Sequence, residues 1–170
     1  MTTLTAETAA SPQVSRDVTP DGVIIHYADA PSYQTEHRTI FESRIYDFAT
    51  DVARPLLIDG GAHIGMAALR WKRLYPAARI MCFEPDQNAF ALLDQNIRAN
   101  QLSDVELIQA GLSDRDGHAR FSPDGADGGR VIGTDARDSA CTKSETASSI
   151  RTIRLSSLLT EPVEMLKLNI

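Results

Sequence analysis

Leu56-Leu57-Ile58-Asp59-Gly60-Gly61-Ala62-His63-Ile64-Gly65 is the stretch that decides the fold. A short apolar run reaches an acid, two glycines follow, and a helical pattern begins at once. The run fits a buried central strand, and the glycines fit a tight turn that tolerates no Cβ. Ile64, Ala67, Ala68, Trp71 and Leu74 then recur at helical spacing until Pro76 stops the helix. Backbone amides at such a helix start are expected to face the end of the sheet, a natural place for a cofactor.

Working outward, a second strand is expected over 78–83, closed by Glu84-Pro85-Asp86. Asp86 can cap a helix over 88–100, whose apolar side is Phe90, Leu92, Leu93 and Ile97. A third strand follows over 105–109. Strand, helix, strand, helix, strand within about fifty residues is the βαβ pattern of an α/β, doubly wound, mostly parallel sheet. The polar segment 110–114 should lie at the same sheet end as the two earlier loops. Further strands are expected over 118–122 and 150–154, a helical turn over 155–160, and a buried strand over 163–170. A central parallel strand needs further neighbours, so the sequence reads as a Rossmann-like sheet truncated after its fifth core strand.

Upstream, residues 1–21 read as a flexible tail rich in Thr, Ala and Ser. Residues 22–27 suit a strand and 28–32 a turn around Pro31. From Gln34 a helix is expected, with Ile40, Phe41, Ile45, Tyr46, Phe48 and Ala49 covering one side. Glu36, His37, Glu42 and Arg44 are then solvated. The resulting division is a tail at 1–21, an N-terminal strand and covering helix at 22–54, and an incomplete domain at 55–170. The irregular segment 123–149 is a loop insertion, either mobile or a lid.

At 170 residues the chain has the size of one domain. A formal charge of -6 and no run of basic residues argue against a nucleic-acid surface. Cys82 and Cys141 lie far apart in unlike contexts, which fits a reducing compartment. No stretch approaches a membrane span, and the start lacks a secretory pattern, so a cytoplasmic protein is expected. An exposed sheet edge would offer a route to oligomers. Asp124, Asp127, Asp135 and Asp138 lack calcium-loop spacing, and the histidines and cysteines lack zinc spacing, so no metal is expected.

Three readings of the glycine loop compete. A Walker loop needs Gly-Lys-Ser/Thr, and Gly65 is followed by Met66-Ala67. A dinucleotide loop needs Gly-x-Gly-x-x-Gly, which Gly60-Gly61-Ala62-His63-Ile64-Gly65 does not keep, and Asp59 would approach the pyrophosphate. Asp-x-Gly-x-x-x-Gly suits a cofactor without phosphate, and S-adenosyl-L-methionine is one. Gly61 and Gly65 would then let the chain pass close to the cofactor, with Ala62 and His63 beside them. Asp59 would supply charge near its amino end. Glu84 would accept both ribose hydroxyls, an arrangement shared with dinucleotide sites. Pro85 would line the adenine edge, and Gln109 and Ala110 its face or rim.

Together, Leu57 to Gly65, Cys82-Phe83-Glu84-Pro85-Asp86, Asn96-Ile97-Arg98-Ala99-Asn100 and Ala110 to Gly117 resemble the FkbM family of class I S-adenosylmethionine-dependent methyltransferases. Residues 163–170 are similar to that family's Leu-Lys-Ile-Asp-Val-Glu-Gly block, broken off in its middle, with Asn169 where the family has Asp. The resemblance covers most of 55–170. It implies a sheet ordered 3-2-1-4-5-7-6 and places Asp59, Gly61, Gly65 and Glu84 at the cofactor. It also implies O-methylation of a small-molecule hydroxyl, such as that of a sugar or natural product.

Methyl transfer from a sulfonium is an in-line displacement, and a hydroxyl nucleophile must lose a proton. The candidates are His63 in the loop, Asp114 after the third strand, and Lys167 in the last strand. Each has another reading: a helix-start residue or cofactor donor, a turn cap, and a partner to an acid that the chain lacks. The rival classes are an NAD-dependent oxidoreductase and a truncated, non-catalytic methyltransferase fold that only binds.

Overall fold

The computed structural model describes residues 13–122, 129–133 and 148–169, and among these the alternating and helical patterns settle into a two-stranded hairpin, two four-stranded sheets and three α-helices. Strand β1 (Ser15–Val18) pairs antiparallel with β2 (Ile24–Tyr27), so part of the stretch expected as tail is an ordered hairpin. Helix α1 spans Ala30–His37. Asp29 caps it through a hydrogen bond from Ser32 N, and Pro31 sits in the first turn, where its missing N–H costs nothing. The turn expected around Pro31 is therefore a helix start. The helix widens into a π turn over Arg38–Glu42 and stops. Arg44, at φ 56°, leaves the right-handed region, so Ile45 to Ala49 fall outside the helix expected to include them.

The glycine stretch forms β3 (Leu56–Gly60) and α2 (Met66–Leu74). Next come β4 (Arg79–Phe83), α3 (Gln87–Ala99) and β5 (Val105–Ile108). Asp86 caps α3, accepting from Asn88 N and Ala89 N, as its position before an apolar helical run implies. The last strand is β10 (Met165–Leu168). All pairings are parallel, in the order β10-β3-β4-β5, which matches the 4-1-2-3 half of the expected sheet. Gly60 stands opposite both Leu168 and Phe83, and Phe83 opposite Ile108. The residues that follow, Gly61, Glu84, Gln109 and Asn169, therefore emerge at one end of the sheet.

Strand periodicity sends alternate residues to opposite faces. Leu57, Ile80 and Cys82 pack with Trp71, Leu69, Leu93 and Ile97 of the helices. Ile58 and Phe83 pack with Leu112, against Ile153, Leu155 and Leu158. Those latter residues belong to, or follow, a second sheet: β6 (Gly111–Ser113), β7 (Gly117–Ser122), β8 (Arg130–Gly133) and β9 (Ser148–Arg154), ordered β6-β9-β7-β8. Strand β7 runs antiparallel to both its neighbours. The strands expected over 118–122 and 150–154 are thus not core strands. Among the described residues the parallel sheet has four strands, not five. Segment 110–114, expected as a loop, supplies β6, and β8 lies within the expected loop insertion. The aspartates 124, 127, 135 and 138, and Cys141, lie outside the described residues. Among the described residues, no helix is long and apolar enough to cross a membrane.

Two asparagines one turn apart, Asn96 on α3 and Asn100 at its C-terminal cap, hold β2. Asn100 accepts from Ile24 N at 2.9 Å and donates to Ile24 O at 2.7 Å. Asn96 accepts from His26 N at 2.6 Å and donates to His26 O at 3.0 Å and to Ile64 O at 2.8 Å. Their amides stand in for a neighbouring strand, because the helical repeat at i, i+4 meets the strand repeat at i, i+2. Asn96 is fully buried, so Asn96→Ala leaves the buried Ile64 carbonyl without this donor and frees the half-buried His26 backbone groups. In urea unfolding it is expected to cost about 2–3 kcal/mol, with Asn100→Ala costing less. Equal, negligible losses would show that the clamp does not hold the hairpin.

Candidate functional site

The end of β3 is shaped by close approach between chain segments. Gly61 has φ 74°, and a Cβ there would sit 2.0 Å from Asn169 O. Gly65 has φ 89°, and a Cβ there would meet Leu93 Cδ1 at 2.7 Å. Both glycines are thus required by the fold, by the path of the chain after β10 and by the packing of α3. Cofactor clearance, the reason inferred from sequence, is not needed to explain them.

The loop amides are also committed. Gly61 N and Ala62 N both donate to Phe83 O at 2.9 Å, and Gly65 N donates to Ala62 O at 2.8 Å. His63, itself at φ 50°, donates its backbone N–H to Glu84 Oε2 at 2.8 Å. Glu84 Oε1 accepts from Asp86 N at 2.8 Å. These four amides are therefore held within the protein. Glu84 is 6% exposed. Burial pushes its carboxyl up, against the pull of those two backbone bonds. A carboxylate has about four lone-pair sites, so acceptor capacity remains.

Asp59 is fully buried and Lys167 nearly so. Lys167 Nζ donates to Asp59 Oδ1 at 2.7 Å and to Gly61 O at 2.8 Å, and stands 5.8 Å from the Tyr46 ring centroid. Burial pulls the Lys167 ammonium down, but the Asp59 carboxylate outweighs it and holds the pKa above the ordinary lysine value. Burial pushes the Asp59 carboxyl up, with Lys167 pulling it back. Lys167 is thus a cation locked to an acid of the chain itself, Asp59, and a protonated ammonium cannot accept a proton. Asp59 Oδ2 is buried without a hydrogen-bond partner.

His63 Nδ1 lies 2.9 Å from Glu36 Oε1, with both side chains largely buried. Glu36 was expected to be solvated. Its place between Tyr33 and Ile40, three and four residues from buried positions on α1 and the π turn, is the signal that could have found it. A cavity of about 150 Å³ adjoins this pair, lined by Glu36, Thr39, Tyr46, Ala62, Lys167 and Asn169 among others. Asp114 is not brought to it by any contact: its side chain is 73% exposed and binds Arg115 and Ser113. Of the other candidates, Ala110 is buried, with its N–H bonded to Ile108 O, while Gln109 is exposed and Pro85 half-buried. The basic side chains of α2 are tied elsewhere, Arg70 to Asp47, Lys72 to Pro76 O and Ala78 O, and Arg73 to Asp21.

No family model matches the chain. It is similar over part of its length to the methyltransferase sdnD of Sordaria araneosa, with 40% identity over 78 residues. To methyltransferase 1 of Beauveria bassiana it is 35% identical over 80 residues. To the 2-O-methyltransferase NoeI of Sinorhizobium fredii it is 36% identical over 74 residues. These matches take in 45%, 47% and 44% of this chain, and only 30%, 32% and 30% of the relatives. Among solved structures, methyltransferase FkbM from Methylobacillus flagellatus superposes with a TM-score of 0.51 at 15% identity, covering 79% of this chain and 30% of that one. The fold is accordingly the Rossmann-like, mostly parallel α/β fold of class I methyltransferases.

The Lys167–Asp59 pair gives a stability test. Lys167→Met leaves a buried, unpaired carboxylate and is expected to cost about 3–5 kcal/mol in denaturant unfolding, whereas Lys167→Met with Asp59→Leu recovers part of that loss. A double variant no more stable than the single one would mean that the pair is not the source of the effect. Gly61→Ala is expected to be at least as damaging as an ordinary left-handed substitution, about 1–2 kcal/mol, because it also drives a methyl into Asn169 O. Circular dichroism melts of the variant would read this as a lowered Tm.

Proposed function

We propose that this chain carries the cofactor-binding part of an S-adenosylmethionine-dependent methyltransferase of the FkbM type, acting on a hydroxyl of a small molecule such as a sugar or natural product. The observation that carries the reading is the committed state of the loop amides beside a buried Glu84. A dinucleotide site needs amides at the helix start to meet a pyrophosphate. Here four amides of the turn before α2, those of Gly61, Ala62, His63 and Gly65, are bonded within the protein and offer nothing to a pyrophosphate. A nucleoside joined to an amino acid places no phosphate there. The names of the partial relatives support the same chemistry, and the one named a 2-O-methyltransferase supports a hydroxyl acceptor.

The residues fit such a cofactor in two parts. Glu84, with acceptor capacity left after its two backbone bonds, would take the ribose hydroxyls, and Pro85, Gln109 and Ala110 would bound the base. The cavity beside Ala62 is too small for a nucleoside, since sites for whole ligands run to roughly 300–1,000 Å³. It is large enough for a compact polar head group. When bound, the cofactor supplies a methyl group on a sulfonium. His63, Lys167 and Asp114 were the candidates for the acceptor's proton, and geometry favours His63. It lies in the loop, and Glu36 at Nδ1 fixes the orientation of its ring. Asp59 is proposed to act indirectly, by holding Lys167.

Calorimetric titration tests the cofactor assignment. S-adenosylhomocysteine is expected to bind in the micromolar range and NAD not to bind measurably. Clear NAD binding without S-adenosylhomocysteine binding would sink the methyltransferase reading. Binding with no methyl transfer to any of a panel of sugar and natural-product hydroxyls would favour a binding-only protein.

A further inference from the structure

We infer that Glu36, outside the glycine motif, is the acceptor for a cationic ammonium group in the cavity between α1 and the glycine loop. The inference rests on the proposed cofactor, whose amino-acid end would bring that ammonium. It reassigns to Glu36 the role that sequence suggested for Asp59.

Three observations lead there. Asp59 cannot reach a ligand, being fully buried with Oδ1 on Lys167. Glu36 is a second carboxylate at the same loop, and its two oxygens differ: Oε1 meets His63 Nδ1, while Oε2 is buried with no hydrogen-bond partner. A desolvated carboxylate oxygen without a donor is costly, and a ligand ammonium is a strong donor for it. Finally, Glu36 lines the cavity of about 150 Å³ together with Thr35, Thr39, Ala62, Lys167 and Asn169. That lining carries both charges, Glu36 on α1 and the ammonium of Lys167 at β10. That combination suits a zwitterionic amino-acid head, its ammonium toward Glu36 and its carboxylate toward Lys167. The wall formed by Ala62 belongs to the glycine loop, so a head group placed here stays continuous with a nucleoside lying toward Glu84.

The test compares two ligands on the intact chain by calorimetry. S-adenosylhomocysteine carries the amino-acid end, and 5′-methylthioadenosine lacks it. Wild type is expected to bind the first more tightly than the second. Glu36→Gln, nearly isosteric and still able to accept from His63, is expected to weaken S-adenosylhomocysteine by ~10-fold or more. It should leave 5′-methylthioadenosine within about twofold, since that ligand makes no charge-assisted bond for the substitution to remove. An equal loss for both ligands would show that Glu36 acts on the loop through His63, and would overturn the inference. So would a wild type that binds both equally, or a Glu36→Gln variant with unchanged affinity for both. Failure of the wild type to bind either ligand would instead overturn the cofactor assignment itself. Retained 5′-methylthioadenosine binding also certifies that the variant is folded.

Discussion

One buried ion pair holds the ends of two strands together. Lys167 reaches from β10 to Asp59 at the end of β3 and, with the same ammonium, to the carbonyl of Gly61 in the turn that follows. Parallel pairing alone would align the strands but would not fix the turn beyond them. The ammonium does that, and the adjacent Asn169 N–H bond to Gly60 O closes the same corner from the backbone side. Full burial makes the arrangement all-or-none: either partner alone is a desolvated charge. The corner also explains the glycine pattern, because Asn169 O occupies the space a Gly61 side chain would need.

Around that corner the site is assembled from polar groups that protein atoms have already taken up. Glu84 accepts two loop amides, Phe83 O accepts two more, and His63 is tied to Glu36. The loop is therefore pre-shaped without a ligand. The polar groups left over are carboxylate oxygens, Oε2 of Glu36 and the spare acceptor capacity of Glu84, both suited to donors.

The parallel sheet was legible because its signals are local. An apolar run ending in Asp-Gly-Gly, Asp86 before an apolar helical face, and Pro76 after Leu74 each name a boundary on its own. Strand β6 was not legible: three residues, Gly111–Ser113, become a strand only because β9 arrives alongside from far along the chain. The helix over-extended toward Ala49 failed for another reason, since its apolar spacing continues past the left-handed Arg44 although the backbone does not. At the site, the motif residues have structural partners that the motif alone does not reveal. Asp59 and the glycines look outward in a motif and inward in space, and that difference depends on Lys167 and Asn169, over a hundred positions away. Glu36 carries a signal only in its spacing, three residues from Tyr33 and four from Ile40, and a solvated helix acid can share that spacing.

The asparagine clamp bears on what should be counted as the folding unit. Asn96 ties the backbone of β2 and the carbonyl of Ile64 to one amide, Asp47 and Asp21 partner the arginines of α2, and α1 supplies the acid beside His63. The motif-bearing sheet therefore borrows its polar partners from residues that precede it. Cutting the protein at the first motif strand would leave those arginines, asparagines and loop groups facing vacated positions, so the polar framework of the sheet reaches back at least to Asp21. Kinship by motif and polar framework have different borders here.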